Sequence, residues 1–144
     1  VQLTINDVRS ALLLSEKSYD AIISQPSHPS TAGASHLFTR EFVHLAKEHL
    51  TEGGVFVQWM NDRLVDEDLL SSLAATVLDA FEYARIYQTD PTVLLIVGST
   101  TPLDLELELD RTGQPLRQDL LHYSYIGLNG INDFIAAPLA LPGN

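Results

Sequence analysis

The stretch from Tyr19 to Arg40 reads YDAIISQPSHPSTAGASHLFTR. Its apolar run, Ala21 to Ile23, ends at Ser24, and a helical pattern begins near Phe38. Between them lies a segment rich in proline, glycine and hydroxyl residues, which we call the crest loop (residues 25–37). A strand, a loop and a helix in this order place ligands at the carboxyl ends of the strands in open α/β sheets. We therefore expect the crest loop to line any active site.

The composition is that of one globular domain. The chain has 144 residues, of which 45% are hydrophobic and 19% charged, and a chain of this size can bury a sizeable core. It has no cysteine, which excludes a disulfide framework, a thiolate zinc site and a cysteine nucleophile. No apolar run approaches the ~20 residues of a membrane span, and no signal peptide opens the chain. We therefore expect a soluble, cytoplasmic domain.

The formal net charge of -11 bears on the partners. Phosphate backbones require a basic surface, so nucleic acid is not an expected partner. An acidic surface is compatible with a cationic substrate, although acidity also serves solubility alone. Both interpretations of the charge stay open at this point.

The chain alternates between strand and helix patterns, which is typical of an α/β fold. Strands are predicted at residues 1–5, 19–24, 55–60, 82–88 and 92–98. Helices are predicted at 8–14 with Asp7 as N-cap, at 38–50 with Gly53-Gly54 as the end signal, and after an N-cap at Asp66. The second strand is apolar enough to be buried on both faces. Only Thr89 to Pro91 separate the last two strands, a link that permits an antiparallel hairpin and not a parallel pair.

Residues 101–144 are predicted to be an extended connection and a short helical extension, distinct from the domain at residues 1–100. The segment 103–110 (LDLELELD) has the period of an edge strand, while 115–123 and 132–141 have helical patterns. Pro138 interrupts the last of these unless it lies in the first turn. The chain opens directly on a strand pattern without a start methionine, so we expect a fragment whose partner strands lie upstream.

Five short motifs follow one another with the order and spacing of a known family. They are N-D-V-R at 6–9, Y-D-A-I-I-S at 19–24, P-x-x-P at 26–29, L-F-T-R-E-F at 37–42 and G-G-V-x-V-Q at 53–58. In this set the chain resembles the spermidine synthase family, the polyamine aminopropyltransferases with the class I methyltransferase-like fold. No single motif is decisive, and the specificity comes from the ordered set over about residues 1–100.

The resemblance implies a three-layer, Rossmann-like α/β fold whose sheet is mostly parallel and ends in an antiparallel hairpin. This chain would be the C-terminal portion of that domain, without its first strands and its glycine-rich nucleoside turn. The resemblance implies decarboxylated S-adenosylmethionine, or S-adenosylmethionine, as co-substrate, a polyamine or other amine as acceptor, and no metal. It leaves open a homodimer and a membrane-fused full-length protein.

Asp7 and Val8 match the family's adenine-binding positions. There an acidic residue accepts a hydrogen bond from the adenine amino group, and the next backbone N–H meets a ring nitrogen. A carboxylate suits this role because it only accepts hydrogen bonds. The alternative is that Asp7 simply caps the helix that follows, and one residue can do both.

The crest loop departs from the family at the two positions that handle the amine. Gln25 stands where the family has the aspartate that holds the attacking amine and helps remove its proton, and His28 replaces a second aspartate. A glutamine amide can orient an amine but cannot act as a base. Histidine can be a base near neutral pH, but it repels a cationic polyamine when protonated. We take Gln25 and His28 as the candidate catalytic residues.

Other polar and aromatic residues near the third strand are weaker candidates. Gln58 matches a family glutamine near the acceptor and is the candidate substrate-binding residue, the alternative being a polar strand end. Trp59 is interpreted as packing in preference to a pocket wall. The acidic residues Asp62 and 66–68 either attract a cationic acceptor or form a solvated helix start. No histidines have metal-ligand spacing, so no metal site is predicted.

Three functions stay open on this sequence. The first, slightly preferred, is aminopropyl transfer with the usual acidic pair replaced. The second is a catalytically inactive spermidine synthase-like interaction or sensor domain. The third is methyl transfer from S-adenosylmethionine on the same fold.

Overall fold

The computed structural model describes residues 3–61, 63, 65–90, 92–103 and 138–139. Within them the helices are α1 (Val8–Leu13), α2 (Arg40–Glu48) and α3 (Glu67–Ala80), with a short 3-10 helix at Ser35–Phe38. The strands are β1 (Tyr19–Ser24), β2 (Leu50–Asn61), β3 (Tyr83–Asp90), β4 (Val93–Ser99) and β5 (Pro138–Leu139). The alternation of helices and strands confirms the predicted α/β class.

The strands form one sheet in the order β1-β2-β4-β3-β5. β1 and β2 are parallel, whereas β4 is antiparallel to both of its long neighbours, β2 and β3. β3 therefore runs in the same direction as β1 and β2, and β4 lies between β2 and β3 in the opposite direction. The tight connection after Asp90 makes β3 and β4 the antiparallel hairpin that its length predicted.

The core lies between one face of the sheet and the helices α2 and α3. Alternate residues of β2 and β4, among them Phe56 and Ile96, point to this face and are fully buried. Phe56 stacks on Phe81 with 6.0 Å between ring centroids and meets Phe42 of α2 edge-on at 6.3 Å. Phe81 directly follows α3, so these aromatic contacts hold both helices to the sheet.

Each of the three α-helices begins at a side-chain cap. Asp7 and Asp66, the predicted N-caps of α1 and α3, each accept a backbone N–H three residues further on at 2.8 Å. Thr39 caps α2, so that helix begins just after Phe38, the residue at which the pattern placed its start. Short polar side chains thus fix the helix starts by satisfying backbone donors that have no intrahelical partner.

The strand predicted at residues 1–5 is wrong where the structure describes it. Residues 3–5 are irregular, and Leu3 and Ile5 are 85% and 94% exposed, while residues 1–2 lie outside the described part. An alternating apolar pattern becomes a strand only with a neighbouring strand to pair with and a layer to cover it. In the described part of the chain, the β1 edge of the sheet has no such neighbour.

Among the described residues β1 is an edge strand, and the prediction that it is buried on both faces is wrong there. Ile22 packs against the core, whereas the next residue, Ile23, is 70% exposed. Successive strand residues point to opposite faces, and α2 and α3 cover only one of them. The strand is therefore more apolar than its described surroundings require.

The junction between α2 and β2 also differs from the prediction. The helix ends at Glu48 and the strand has already begun at Leu50, so Gly53-Gly54 do not end the helix. Instead they form a bulge, where β1 advances two residues while β2 advances five. Gly53 has a φ of 76°, and a Cβ on Gly54 would lie 3.1 Å from the Tyr19 carbonyl oxygen. The positive φ of Gly53 and the close backbone contact at Gly54 both require glycine. The prediction that these glycines end the helix is therefore wrong.

The C-terminal region contributes Pro138–Leu139, which pair with Ile86 and Tyr87 of β3. The helix predicted at 132–141 is therefore wrong at these two positions, since proline suits the extended backbone of a short edge strand. Within the described residues no helix has both the length and the apolar character needed to cross a membrane. Two predictions lie outside the described residues: the strand at 103–110 apart from Leu103, and the helix at 115–123. The division of the chain at residue 100 stays a prediction.

Candidate functional site

A cleft of about 220 Å³ opens where β1 and β2 end and the crest loop begins. It lies at the carboxyl ends of two parallel strands, the position expected for a ligand in such a sheet. The crest loop lines it, as the sequence predicted. The described lining residues are Pro26, Ser27, His28, Pro29, Phe38, Trp59, Met60, Asn61 and Val65.

The crest loop is folded into consecutive turns by its own residues. The Thr31 N–H donates to the His28 carbonyl oxygen at 2.8 Å, and the Ala34 N–H donates to the Thr31 carbonyl oxygen at 3.0 Å. Pro29 takes the second position of the first turn, which suits its fixed φ. Gly33, with a φ of 85°, takes the third position of the second turn, where glycine is favoured. The local sequence therefore shapes the wall of the cleft.

His28 lines the cleft and is held by the loop through its Nδ1. The Ser30 backbone N–H lies 3.2 Å from Nδ1 and the Ser30 hydroxyl oxygen 2.6 Å from it. A backbone N–H can only donate, so Nδ1 accepts, and the proton of the neutral ring is then on Nε2. In this tautomer the ring presents a donor, and not a lone pair, at Nε2. Base chemistry at Nε2 would require the proton to move to Nδ1 at the expense of the Ser30 N–H bond.

Gln25 lies apart from the cleft lining. It is exposed at the end of β1, immediately before Pro26, and it is not one of the lining residues. The structure therefore places only one of the two candidate catalytic residues, His28, on the cleft. Gln25 borders the site from the strand end.

Gln58 is buried, with 3% of its surface exposed, on the sheet face that α2 and α3 cover. Its Nε2 donates to the carbonyl oxygens of Ser24 at 3.4 Å and Trp59 at 3.3 Å. Its Oε1 is buried and has no hydrogen-bond partner among the described residues. The amide shares a small cavity with Val43 and Val77, and it lies beneath the crest loop without lining the larger cleft.

Asp7 and Val8 stand at the start of α1, on the surface. Hydrogen bonds from Ser10 hold the pKa of Asp7 below its usual value, and the nearby side chains of Arg9 and His36 lower it further. Asp7 is therefore a carboxylate at neutral pH. Because His36 belongs to the crest loop, Asp7 lies within electrostatic reach of that loop. The capping role of Asp7 is confirmed, and its ligand role stays a prediction.

Several lining residues were not predicted as such from the sequence. Trp59 is half-buried and lines the cleft, although packing was the preferred interpretation. Phe38 opens the helix predicted at 38–50, and no pattern singled out Val65. These residues meet because β1 and β2 end at the same edge of the sheet at which α3 begins. No local sequence pattern indicates that these segments lie together.

The charges around the cleft are unevenly placed. Among the described lining residues His28 is the one with an ionisable side chain, and none carries a carboxylate. Asp66 caps α3 next to the lining residue Val65, and Glu67 and Asp68 are exposed in the first turn. Asp62 lies outside the described residues. In the part of the chain that is described, no three histidine or acidic side chains are grouped to hold a metal ion.

Comparison with known proteins gives a sequence family and a set of structural neighbours. A family model, the Spermine/spermidine synthase domain, matches residues 1–97. No curated protein sequence matches the chain significantly. Among solved structures, a spermidine synthase in complex with the transition-state analogue AdoDATO is similar at 20% identity and a TM-score of 0.60, over 69% of this chain and 36% of its own.

Two further structures are similar over about the same region. A probable spermidine synthase from Corynebacterium glutamicum has 22% identity and a TM-score of 0.56, over 69% of this chain and 38% of its own. Human methyltransferase-like protein 13, in complex with SAH, has 19% identity and a TM-score of 0.54, over 68% of this chain and 47% of its own. These similarities confirm the methyltransferase-like α/β fold. The chain spans little more than a third of the length of the two spermidine synthase structures.

Proposed function

Because the chain belongs to the spermine/spermidine synthase domain family, we propose that it is part of a transferase that moves an aminopropyl group from decarboxylated S-adenosylmethionine to an amine. The observation that carries the proposal is the cleft at the carboxyl ends of β1 and β2, which the crest loop lines within the region that matches the family. The activity is proposed for the full-length protein, of which this chain would supply the acceptor loop and part of the adenine site.

The reaction is an in-line displacement at carbon. The acceptor nitrogen forms a bond to the propyl carbon as the bond from that carbon to the sulfonium sulfur breaks, and the electron pair leaves with methylthioadenosine. The alkylated ammonium then loses a proton. The protein has to align the two reactants and to provide a route for that proton.

Asp7 and Val8 would hold the adenine. The carboxylate of Asp7 has acceptor positions beyond those that Ser10 engages, so it can accept from an adenine amino group while it caps α1. The N–H of Val8, at the first position of the helix, has no acceptor within the helix. The exposed position of both residues leaves them accessible to a nucleoside.

Two residues of the crest loop would position the acceptor amine, and one buried residue would support them. Gln25 orients the amine through the amide oxygen at the end of β1. His28 lines the cleft with its Nδ1 held by Ser30, so its ring would help to position the amine before it could act as a base. Gln58 acts from beneath, by fixing the Ser24 carbonyl at the base of the loop.

The adenosyl site can be tested by calorimetry with methylthioadenosine on the full-length protein. Binding is expected, and the Asp7→Ser variant should lose affinity at unchanged thermal stability, because serine keeps the N-cap but not the reach of the carboxylate. Asp66→Ser, the same change at the cap of α3, serves as the matched control and should bind normally. Absence of binding by the native protein would remove the proposal.

A catalytically inactive domain is the second candidate, because the structure gives two observations in its favour. Gln25 lies off the cleft lining, and the Ser30 N–H holds His28 in its donor tautomer. The native protein and a Gln25→Asp/His28→Asp double variant should be compared with decarboxylated S-adenosylmethionine and a panel of acceptors that contains both monoamines and diamines such as putrescine. Turnover by the native protein excludes the inactive domain, and turnover by the double variant alone supports it. Mass spectrometry of the product separates aminopropyl transfer from methyl transfer.

A further inference from the structure

The cleft at the crest loop has walls made chiefly of hydrocarbon and aromatic surface. We infer that its acceptor is a monoamine with an apolar, ring-sized body, and not a short diamine. The inference rests on the proposed transferase function and specifies its acceptor. It follows from the size, the lining and the charge of the cleft.

The size and lining of the cleft suit a ring. The crest loop contributes Pro26 and Pro29 to the lining, β2 contributes Trp59, and Phe38 and Val65 complete the apolar walls. An apolar cavity of about 150 Å³ holds a benzene molecule, so a cleft of about 220 Å³ has room for a ring with a short side chain. Flat apolar ligands gain from such aromatic and proline surfaces by removal from water.

The charge of the described lining residues argues against a second ammonium group beside them. Among the described lining residues there is no carboxylate to pair with a buried cation, and an unpaired charge on an apolar wall is costly. A single ammonium, in contrast, can stay at the mouth. Ser27 and Asn61 contribute oxygen atoms to the lining, and the exposed carboxylates of Glu67 and Asp68 lie close in sequence to the lining residue Val65.

The cleft does not have to be assembled by the ligand. The turn closed between Thr31 and His28, with Pro29 inside it, sets the loop wall before any ligand arrives. A preformed site loses little conformational entropy on binding. Selectivity for shape is therefore expected even for a small ligand.

The chain carries its own reporter, since Trp59 is its single tryptophan and lines the cleft. The tryptophan emission of the full chain is titrated with 2-phenylethylamine and with putrescine, each with and without saturating methylthioadenosine. A saturable change is expected at a concentration of 2-phenylethylamine roughly ten-fold or more below that of putrescine. The Trp59→Phe variant, which has no tryptophan, gives the background signal of each titration.

A charge placed in the lining should reverse the preference. Ser27→Asp adds a carboxylate at an exposed loop position that lines the cleft, and it should shift the preference towards putrescine. Thr31→Asp, an exposed residue of the same loop outside the lining, is the matched control and should change neither ligand. Equal or tighter binding of putrescine by the native chain, or no response to either amine, overturns the inference. If the native protein does not bind methylthioadenosine in calorimetry but still prefers 2-phenylethylamine, the proposed transfer is wrong. The inference that the cleft binds an apolar monoamine is then still supported.

Discussion

Gln58 and Ser24 are register partners across β1 and β2, and the Gln58 side chain donates through Nε2 to the Ser24 carbonyl oxygen at 3.4 Å. The same Nε2 donates to the Trp59 carbonyl oxygen at 3.3 Å. The Oε1 of this amide is buried without a partner among the described residues. One side chain thus connects the two strand ends beneath the cleft and leaves an acceptor unpaired.

Replacement of Gln58 should separate its donor and acceptor roles. Gln58→Leu removes the unpaired oxygen together with two long hydrogen bonds, so the free energy of unfolding should change by less than about 1 kcal/mol. Gln58→Glu places a carboxylate against two carbonyl oxygens and should destabilise the fold by about 2–4 kcal/mol at neutral pH. Urea unfolding of both variants measures the difference.

The cost of Gln58→Glu should depend on pH. Burial raises the pKa of a carboxyl group, so the folded variant binds more protons than the unfolded variant between the two pKa values. Its stability therefore falls as the pH rises through this range and recovers in acid. Equal losses of unfolding free energy for Gln58→Leu and Gln58→Glu at every pH would contradict the interpretation that the buried Gln58 site disfavours a charge.

Gly98 should not tolerate a side chain. A Cβ there would lie 2.5 Å from Cδ2 of Phe81 and 2.9 Å from Cγ1 of Val77, so Gly98→Ala should destabilise by about 1–3 kcal/mol through overpacking. Adding Phe81→Leu should relieve part of that loss. Gly33→Ala is the comparison, because its cost of roughly 1 kcal/mol comes from a positive φ without a steric neighbour, and Phe81→Leu should not relieve it. Additive effects of Gly98→Ala and Phe81→Leu would refute the steric explanation.

The surface cluster around Asp79 should contribute to acid sensitivity. Asp79 accepts from His44 at 2.9 Å and from Arg40 at 2.7 Å, and these hydrogen bonds hold its pKa below the usual value. A carboxylate whose pKa is lower in the folded chain stabilises above its unfolded pKa, and this stabilisation is lost as the pH falls through the folded value. The melting temperatures of native and Asp79→Asn proteins should therefore differ at neutral pH and converge in strong acid.

The Asp79 effect should also weaken in high salt, since the cluster is solvent-accessible. Glu52→Gln removes the same charge at another exposed position and is the control. If Glu52→Gln and Asp79→Asn gave the same dependence on pH, the cluster would have no specific role.

Ile22 and Ile23 should respond differently to truncation although they are adjacent and identical. Ile22 is half-buried against the core, so Ile22→Ala should cost about 1–3 kcal/mol. Ile23 is 70% exposed, so Ile23→Ala should leave the stability of this chain nearly unchanged. A comparable loss for Ile23→Ala in the full-length protein would show that further structure there covers the outer face of β1.

Sequence patterns predicted those features that a few neighbouring residues determine. Asp7 and Asp66 cap helices because a short acidic side chain reaches a backbone donor three residues away. The link at residues 89–91 is too short for anything but a hairpin. The position of the crest loop follows in the same way from the order of a strand and a helix.

The features that were missed depend on contacts between distant segments. Gly53 and Gly54 have the composition of a helix end, but the ladder with β1 makes them a bulge. The period of β2 shows that Gln58 and Trp59 point to opposite faces, yet it does not show which face the helices cover. The cleft joins Phe38 to Val65, which no short-range pattern connects.

The position of β4 in the sheet determines when the sheet can form during synthesis of the chain. β2 and β3 pair with β4, which follows both of them in the sequence. A nascent chain that ends before Val93 therefore has no strand to join β3 to the rest of the sheet among the described residues. Since ribosomes add roughly 5–20 residues per second, the central hydrogen bonds of the sheet form only after the hairpin has left the exit tunnel. Until then the apolar faces of β2 and β3 are uncovered. Only chaperone binding or rapid completion of the sheet protects them from aggregation.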